Sequence, residues 1–210
     1  CVIALVYICY ASIMGPINFE NAKKHRDKAV VARLIDIRKA QAEYRNIYKQ
    51  YTASFDTLID FVKTQKIPFV SKEGVLSDKQ LEDAMAIINK AKKTNNWKEV
   101  EAAGLMGFKR DTIWVAVTDT IYDKSFNADS LRYVPFGGGA QFEMYTRNDT
   151  TKSGAPIFLF QANTPYDVYL NGLDKQQIAN LKDVQVKLGK YPGLMVGSID
   201  TPNNGAGNWE

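Results

Sequence analysis

A chain of 210 residues that is 45% hydrophobic and 24% charged can build one modest core plus an extra element, and it is too apolar to remain disordered. The net charge of +4 is local, because residues 22 to 39 hold seven basic side chains against Asp27 and Asp36 and leave the rest near −1. That distribution excludes a nucleic-acid footprint spread over the domain, and the lack of any fixed-period repeat excludes a solenoid.

Residues 1 to 14, CVIALVYICYASIM, carry no charge, and Ser12 is their one strongly polar side chain. Such a run must be covered on every side. As a helix it measures about 21 Å, short of the roughly 20 residues that cross a bilayer core. Two burials fit: part of a membrane span lies upstream, as the missing initiator Met leads one to expect, or the run packs among copies of itself in a filament. The side chains expected to serve this burial are Val2, Ile3, Leu5, Val6, Ile8 and Ile13, with Gly15 and Pro16 at a break. Cys1 and Cys9 both lie in the apolar run, so neither a disulfide framework nor a thiol metal site is expected beyond it. A lipidated Cys1 would be followed by a polar tether, whereas Val2-Ile3-Ala4-Leu5 is membrane-type, so a small apolar side chain is the simpler reading.

Pro16 lacks a backbone N–H and is expected to kink or locally melt the helix. The helical period then resumes. Val30, Leu34, Ile37, Gln41, Tyr44, Tyr48 and Tyr51 step by four and three residues and share one face, with Gln41 the only strongly polar member. Arg26, Lys28, Arg33, Arg38, Lys39, Arg45 and Lys49 mostly occupy other faces, so this half is amphipathic. A coiled coil is one partner for the stripe; Ala29, Ala32, Ala40 and Ala42 and the stop after Tyr51 suit packing on a sheet.

Further on, Ser77 with Gln80 at the capping-box position and Leu76 able to staple onto Leu81 predicts a helix through Met85 and Ile88 to Lys92. Lys90, Lys92 and Lys93 then read as a solvated helix end favoured by the dipole. Asn95-Asn96 ends it, and Trp97 to Ala103 is expected to form another turn. From Asp111 the period becomes two. Strands are expected around Ile113, Val115 and Val117, Leu131 to Val134, Phe142 to Tyr145, Ile157 to Phe160, Val168 to Leu170 and Gly193 to Ile199, in an antiparallel sheet against the Val30 to Tyr51 stripe. Asp174, with Gln177 at the capping-box position, predicts a helix from Lys175 to Leu181.

Chemistry is sparse. His25, the one histidine, sits among lysines and an arginine without a second histidine or a nucleophile in register, so no triad or zinc site is expected. Gly137-Gly138-Gly139 lacks the Lys-Ser/Thr of a phosphate loop and reads as a turn. Asp119, Asp123 and Asp129 lack EF-hand spacing; Asp200, Asn203 and Asn204 offer oxygens to calcium or simply make turns. Asn148-Asp149-Thr150 has the form of a glycosylation acceptor, with no expected role. The chain is expected to be no enzyme, with no cofactor and no metal.

An apolar helix, a Gly-Pro break, a basic amphipathic continuation, then Ala40-Gln41-Ala42-Glu43-Tyr44, Tyr48 and Tyr51-Thr52-Ala53-Ser54-Phe55-Asp56-Thr57-Leu58 together resemble type IV pilins and pseudopilins. Ser12-Ile13-Met14 before Pro16, Asp36-Ile37-Arg38-Lys39-Ala40-Gln41 and the terminal Ala206-Gly207-Asn208-Trp209-Glu210 are similar to pilin-like, single-span proteins of Bacteroidota. The resemblance implies a pilin-like α+β fold: a long N-terminal helix whose first half is buried in membrane or filament core, packed on an antiparallel sheet head. It divides the chain into a membrane or filament-core segment (1–16), an amphipathic continuation (17–53) and a globular head (54–210). The implied function is that of a structural subunit of a pilus-like or secretion-associated filament. Its partners would be copies of itself or related subunits and membrane lipid, not nucleic acid, and its place the cell envelope, with the head exported, or an extracellular filament. Two features depart from the pattern. Cys1 replaces the aromatic residue that starts pilin helices, and Leu5 stands where an early glutamate meets the next subunit's amine, with no acid before Glu20. They motivate the alternative of a single-span scaffold or adaptor that binds an envelope complex without polymerising. The basic cluster at 23 to 39 would by charge alone hold the head on the cytoplasmic side; the resemblance implies export.

Overall fold

The computed structural model describes residues 2–72, 78–94, 110–122, 126–151 and 154–210. In chain order these form α1 (Val2–Tyr48), α2 (Phe55–Thr64), β1 (Lys66–Lys72), α3 (Asp78–Thr94), β2 (Arg110–Ala116), α4 (Val117–Ile121), a 3-10 turn (Ala128–Arg132), β3 (Glu143–Thr150), β4 (Pro156–Pro165), α5 (Tyr166–Tyr169), α6 (Lys175–Lys187) and β5 (Gly193–Gly197). The chain is α+β with a long N-terminal helix and antiparallel sheets. It folds as two compact units, one made of Cys1–Gln65 with Thr118–Glu210 and the other of Lys66–Val117.

α1 is one helix of 47 residues with Pro16 inside it. The expected melting at Gly15-Pro16 does not occur, since the missing N–H removes only one bond from a long ladder. The helix stops at Tyr48. Lys49 there takes the left-handed conformation, φ 59°, and returns its N–H to Arg45 O at 2.8 Å, an αL-type ending. Ser54 opens α2 by accepting from Thr57 N, and Leu58, Ile59, Phe61 and Val62 form its buried face. The sequence alone predicts no helix over this segment.

In the larger unit the sheet order is β3-β4-β5, all antiparallel, with Glu143 opposite Asn163 and Ala162 opposite Val196. Residues of one parity, among them Met144, Ala162, Leu194 and Val196, are buried, and α1 packs against β4 and β5 with Val30, Leu34 and Ile37 at 0% exposure. Close approach of β4 and β5 depends on Gly197. Its φ is 72°, and a Cβ there would lie 2.2 Å from Phe160 O. The outer edge of β5 is covered by the C-terminal segment, where Gly197 N donates to Ala206 O and Asn208 N to Met195 O, both at 3.0 Å.

Two expected strands take other forms. Leu131 falls in the 3-10 turn, capped by the Asn127 side chain on Asp129 N, because Ala128 and Leu131 bury at the three-residue repeat of that helix type. Tyr133 makes only an isolated bridge with Gln141, which closes the turn over the triple glycine. Val168 lies in α5: Tyr166, Tyr169 and Leu170 are buried at helical spacing, and Pro165 at φ −75° begins the turn. By contrast the Asp174 cap accepts from Gln176 N and Gln177 N, and α6 continues past Leu181 to Lys187.

The smaller unit contains β1 and β2, paired antiparallel from Lys66 opposite Ala116 to Lys72 opposite Arg110, together with α3. The expected strand after Asp111 is present, but its partner is β1 and not the sheet that meets α1. A two-stranded ribbon consists only of edge strands, the setting in which Pro68 is tolerated. The Ser77 cap and the turn expected at Trp97 to Ala103 lie outside the described residues.

Candidate assembly helix

The two halves of α1 differ in what covers them. From Phe19, 8% exposed, the head lies against it, whereas Tyr10, Ile13 and Ile17 stand 61%, 63% and 46% exposed. Spacings of three and four put these side chains on one helix face. Val2, Ile3, Leu5, Val6 and Ile8 belong to the first turns of the same helix, and Gly15 and Pro16 are exposed within it. A Cβ at Gly15 would meet nothing within 4 Å, so no contact inside this chain demands a glycine there. Among the described residues no helix is long and apolar enough to cross a membrane.

In the second half Val30, Leu34, Ile37 and Gln41 are fully buried and Tyr44 is 8% exposed. Tyr48 is 44% exposed, and Tyr51 is half-buried beyond the helix end. Tyr44 packs edge-on to Phe61 of α2 at 5.1 Å, and Tyr51 lies against Phe160 of β4 at 4.8 Å. The polar member of the stripe is accounted for. Gln41 Nε2 donates to Thr52 O at 2.6 Å and to Met144 Sδ at 3.0 Å, and its Oε1 accepts from Thr52 N at 3.3 Å. One buried amide thus ties α1 to the turn after it and to β3.

The basic cluster is also put to structural use. Arg26 donates to Tyr169 O at 2.9 Å and Asn171 O at 2.8 Å, the carbonyl end of α5. Arg33 donates to Ser130 O, and Arg38 reaches Gly205 O at 3.2 Å and the Glu210 carboxylate at 2.7 Å. Three arginines expected on faces other than the apolar stripe therefore strap the helix to three separate segments of the head, because an aliphatic stem carries the guanidinium fork around the helix. The signal available in sequence was the choice of arginine at 26, 33 and 38 while Lys24, Lys28 and Lys39 stay exposed. Asp27 accepts from Tyr169 Oη at 2.8 Å and from Lys23 Nζ at 2.9 Å. Burial first, then the Asp27 charge, pushes the Tyr169 phenol well above its ordinary range. Tyr122 Oη donates to Asp36 O at 2.5 Å, and burial likewise pushes that phenol up.

The residues weighed for chemistry have other occupations. His25 packs edge-on to Phe136 at 5.6 Å, and Arg26 lies over the same ring at 5.3 Å. Asn203 donates to Ala206 O and accepts from Gly205 N, which is turn chemistry, while Ser198 Oγ accepts from Asp200 N and Thr201 N. Gly138 and Gly139 take φ 61° and 93° in the turn between Tyr133 and Gln141. Among the described residues no three histidine, cysteine, aspartate or glutamate side chains converge on a point able to hold a metal.

Comparison with protein-family models, curated proteins and solved structures finds no match to this chain. Its side chains alone carry the functional reading: an uncovered apolar helix face at one end and a helix strapped to a head at the other.

Proposed function

We propose that this chain is a structural subunit of a type IV pilus-like or secretion-associated filament, polymerising through its N-terminal hydrophobic helix, with a pilin-like head. The observation that carries this reading is the exposed face of Tyr10, Ile13 and Ile17 on a helix whose next turns are strapped into the head. Apolar side chains held out on a continuous helix gain free energy when sister helices cover them, on the order of 25 cal/mol per Å² of apolar surface buried. The run from Val2 to Ile13 with Gly15 and Pro16 supplies the assembly segment, and the Val30 to Tyr44 stripe with its arginine straps transmits load from helix to head. Copies of the chain or related subunits are the partners. Lipid of the inner membrane holds the helix before assembly, and the head is exported. The role is mechanical, with no catalysis.

The test is crosslinking in native membranes of a chain whose Cys1 and Cys9 are replaced by serine and whose Ile13 is replaced by cysteine. Filament assembly gives disulfide-linked dimers, the limit for one thiol per chain, together with helical filaments in electron micrographs; monomers alone reject it. A second reading, a non-polymerising single-span scaffold of an envelope complex, uses the same exposed face of Tyr10, Ile13 and Ile17, covered then by a different polypeptide. Under that reading Ile13→Cys captures a different polypeptide and no filament contains this chain.

A further inference from the structure

The three-stranded sheet has two outer edges, and they are treated differently. β5 is covered by the chain's own C-terminal segment, through the Val196–Gly207 bridge and the bonds from Gly197 and Asn208. Among the described residues of the larger unit no segment covers β3 in this way. Among the described residues its outer edge meets only the segment at Arg132, which accepts from Phe142 N at 2.9 Å, just before the strand begins.

The hydrogen-bond parity identifies the groups left at that edge. Thr151 N donates to Ala155 O at 2.8 Å at the hairpin end of the β3–β4 ladder. Residues of the same parity, 143, 145, 147 and 149, therefore turn their backbone groups toward β4. Met144, Thr146, Asn148 and Thr150 turn theirs outward, as the Phe142 bond away from β4 also requires. Thr150 N is taken by the Asp149 carboxylate at 2.8 Å. Among the described residues the backbone groups of Thr146 and Asn148 and the Thr150 carbonyl are left as a template for another strand.

The charges on β3 select the occupant. Its side chains away from α1 are Glu143, Tyr145, Arg147 and Asp149, all exposed, with Arg147 held only loosely by Asp149 at 3.5 Å and Asp200 at 4.0 Å. This row complements itself in an antiparallel pairing. A two-fold axis at Asn148 sets each Arg147 opposite the second copy's Asp149 in the close, non-hydrogen-bonded position. An axis at Arg147 would oppose two arginines, and one at Thr146 would oppose Glu143 and Asp149. An axis at Tyr145 would also pair Arg147 with Glu143, but it would bring the second copy against Gln141 and Phe142, where Tyr133 and Arg132 already lie.

We propose that the β3 edge is an interface with a second copy of this chain, paired antiparallel about Asn148, to give a sheet continuous across two heads. It is independent of the helix-mediated assembly above. An isologous edge closes a pair, and the helix contact is separate from it.

The test uses the full chain in detergent with Cys1 and Cys9 replaced by serine. Two Asn148 residues in a hydrogen-bonded pair have Cα atoms about 5.5 Å apart, within the range a disulfide spans. Asn148→Cys is expected to give disulfide-linked dimers under mild oxidation, while Tyr145→Cys, which does not face itself in this register, stays monomeric. Adding Arg147→Asp to Asn148→Cys sets like charges opposite each other and should lose the dimer; adding Asp149→Arg as well should restore it. The proposal fails if Asn148→Cys stays monomeric, if Tyr145→Cys links as readily, if the charge exchange does not restore the link, or if the thiol captures only a different polypeptide. Disulfide-linked dimers of Ile13→Cys report the helix contact separately, so failure of one reading is distinguishable from failure of the other.

Discussion

The Tyr169 phenol donates a 2.8 Å hydrogen bond to the Asp27 carboxylate, joining positions 142 apart in the chain. Lys23 holds another oxygen of the same carboxylate, and Arg26 holds the Tyr169 carbonyl, so one turn of α1 grips Tyr169 by both its side chain and its backbone. Tyr169→Phe removes one charge-assisted bond at a 0% exposed site and should cost about 1.5–3 kcal/mol in denaturant melts at neutral pH. The pH dependence has a defined sign. Because the folded phenol keeps its proton well above the ordinary value of 10.0, folded chains bind more protons than unfolded ones beyond that value. Its contribution is intact below pH 10 and falls as pH climbs past it. Wild type should therefore lose stability between neutral pH and pH about 11 more steeply than Tyr169→Phe; parallel loss in the two proteins would contradict this account.

Leu34 is fully buried on the face of α1 that meets the sheet. Leu34→Ala should cost about 2–5 kcal/mol, the range for a buried leucine whose cavity closes only in part. Leu34→Asp places a carboxylate among apolar side chains and should unfold or mis-pack the head. Thermal melts followed by circular dichroism measure both, and an unchanged melt for Leu34→Asp would refute the packing.

At Gln41 the useful comparison is with an apolar side chain of similar size. Gln41→Leu fills the space but strands the backbone N–H and C=O of Thr52, which the amide bonds at 3.3 and 2.6 Å. A loss of about 1–3 kcal/mol is expected, the cost of unsatisfied buried groups. If the variant melts with wild type, water satisfies the turn and the amide is dispensable.

What the sequence revealed and concealed follows from the range of the forces involved. The stripe of Val30, Leu34 and Ile37 and the Asp174 cap are local signals, periodicity and a side chain beside its own helix start, and both are legible without a fold. The arginine straps were hidden because their acceptors are backbone carbonyls far along the chain, which no side-chain pattern marks. The sequence predicts a strand where α5 lies because Val168 to Leu170 is short and apolar, although Tyr166, Tyr169 and Leu170 already carry the helical spacing. β1 was missed because Pro68 and its lysines resemble a loop, and only pairing with β2 makes it a strand. The exposed face at Tyr10, Ile13 and Ile17 was readable as composition, but its lack of cover required the head to be placed.

Asp36 offers a second pH test, of the same sign but at the acid end. Burial, ahead of the nearby Lys39 and Arg33 charges, holds its carboxyl above the ordinary 3.8. Below that value the group is protonated in both states and costs nothing. As pH rises through the raised folded value the fold must ionise a half-buried acid, and the penalty is complete at neutral pH. Asp36→Asn keeps the backbone carbonyl that Tyr122 uses and removes the charge. The variant should be more stable than wild type at pH 7, by no more than about 1 kcal/mol for a partly exposed group, and equal to it near pH about 3. Destabilisation at pH 7 would mean that the pairings with Lys39 and Arg33 outweigh burial.

The two halves of α1 are separable by mutation. Ile13→Asp with Ile17→Asp alters side chains that are 63% and 46% exposed and touches none of the buried stripe. Surface changes of this kind leave stability within about 0.5 kcal/mol, so the thermal melt of the head should not move. The same pair of charges, set on the exposed face that carries Tyr10, Ile13 and Ile17, should abolish helix-mediated oligomers, because each sister contact would then bury an unpaired carboxylate. Chemical crosslinking and sedimentation of the detergent-solubilised chain measure assembly, and circular dichroism measures the fold. Leu34→Asp should give the converse, a collapsed melt. Retention of oligomers larger than the β3-edge pair in the Ile13/Ile17 double variant would show that assembly does not run through this face, and a lowered melt would show that the first half of α1 is part of the head after all.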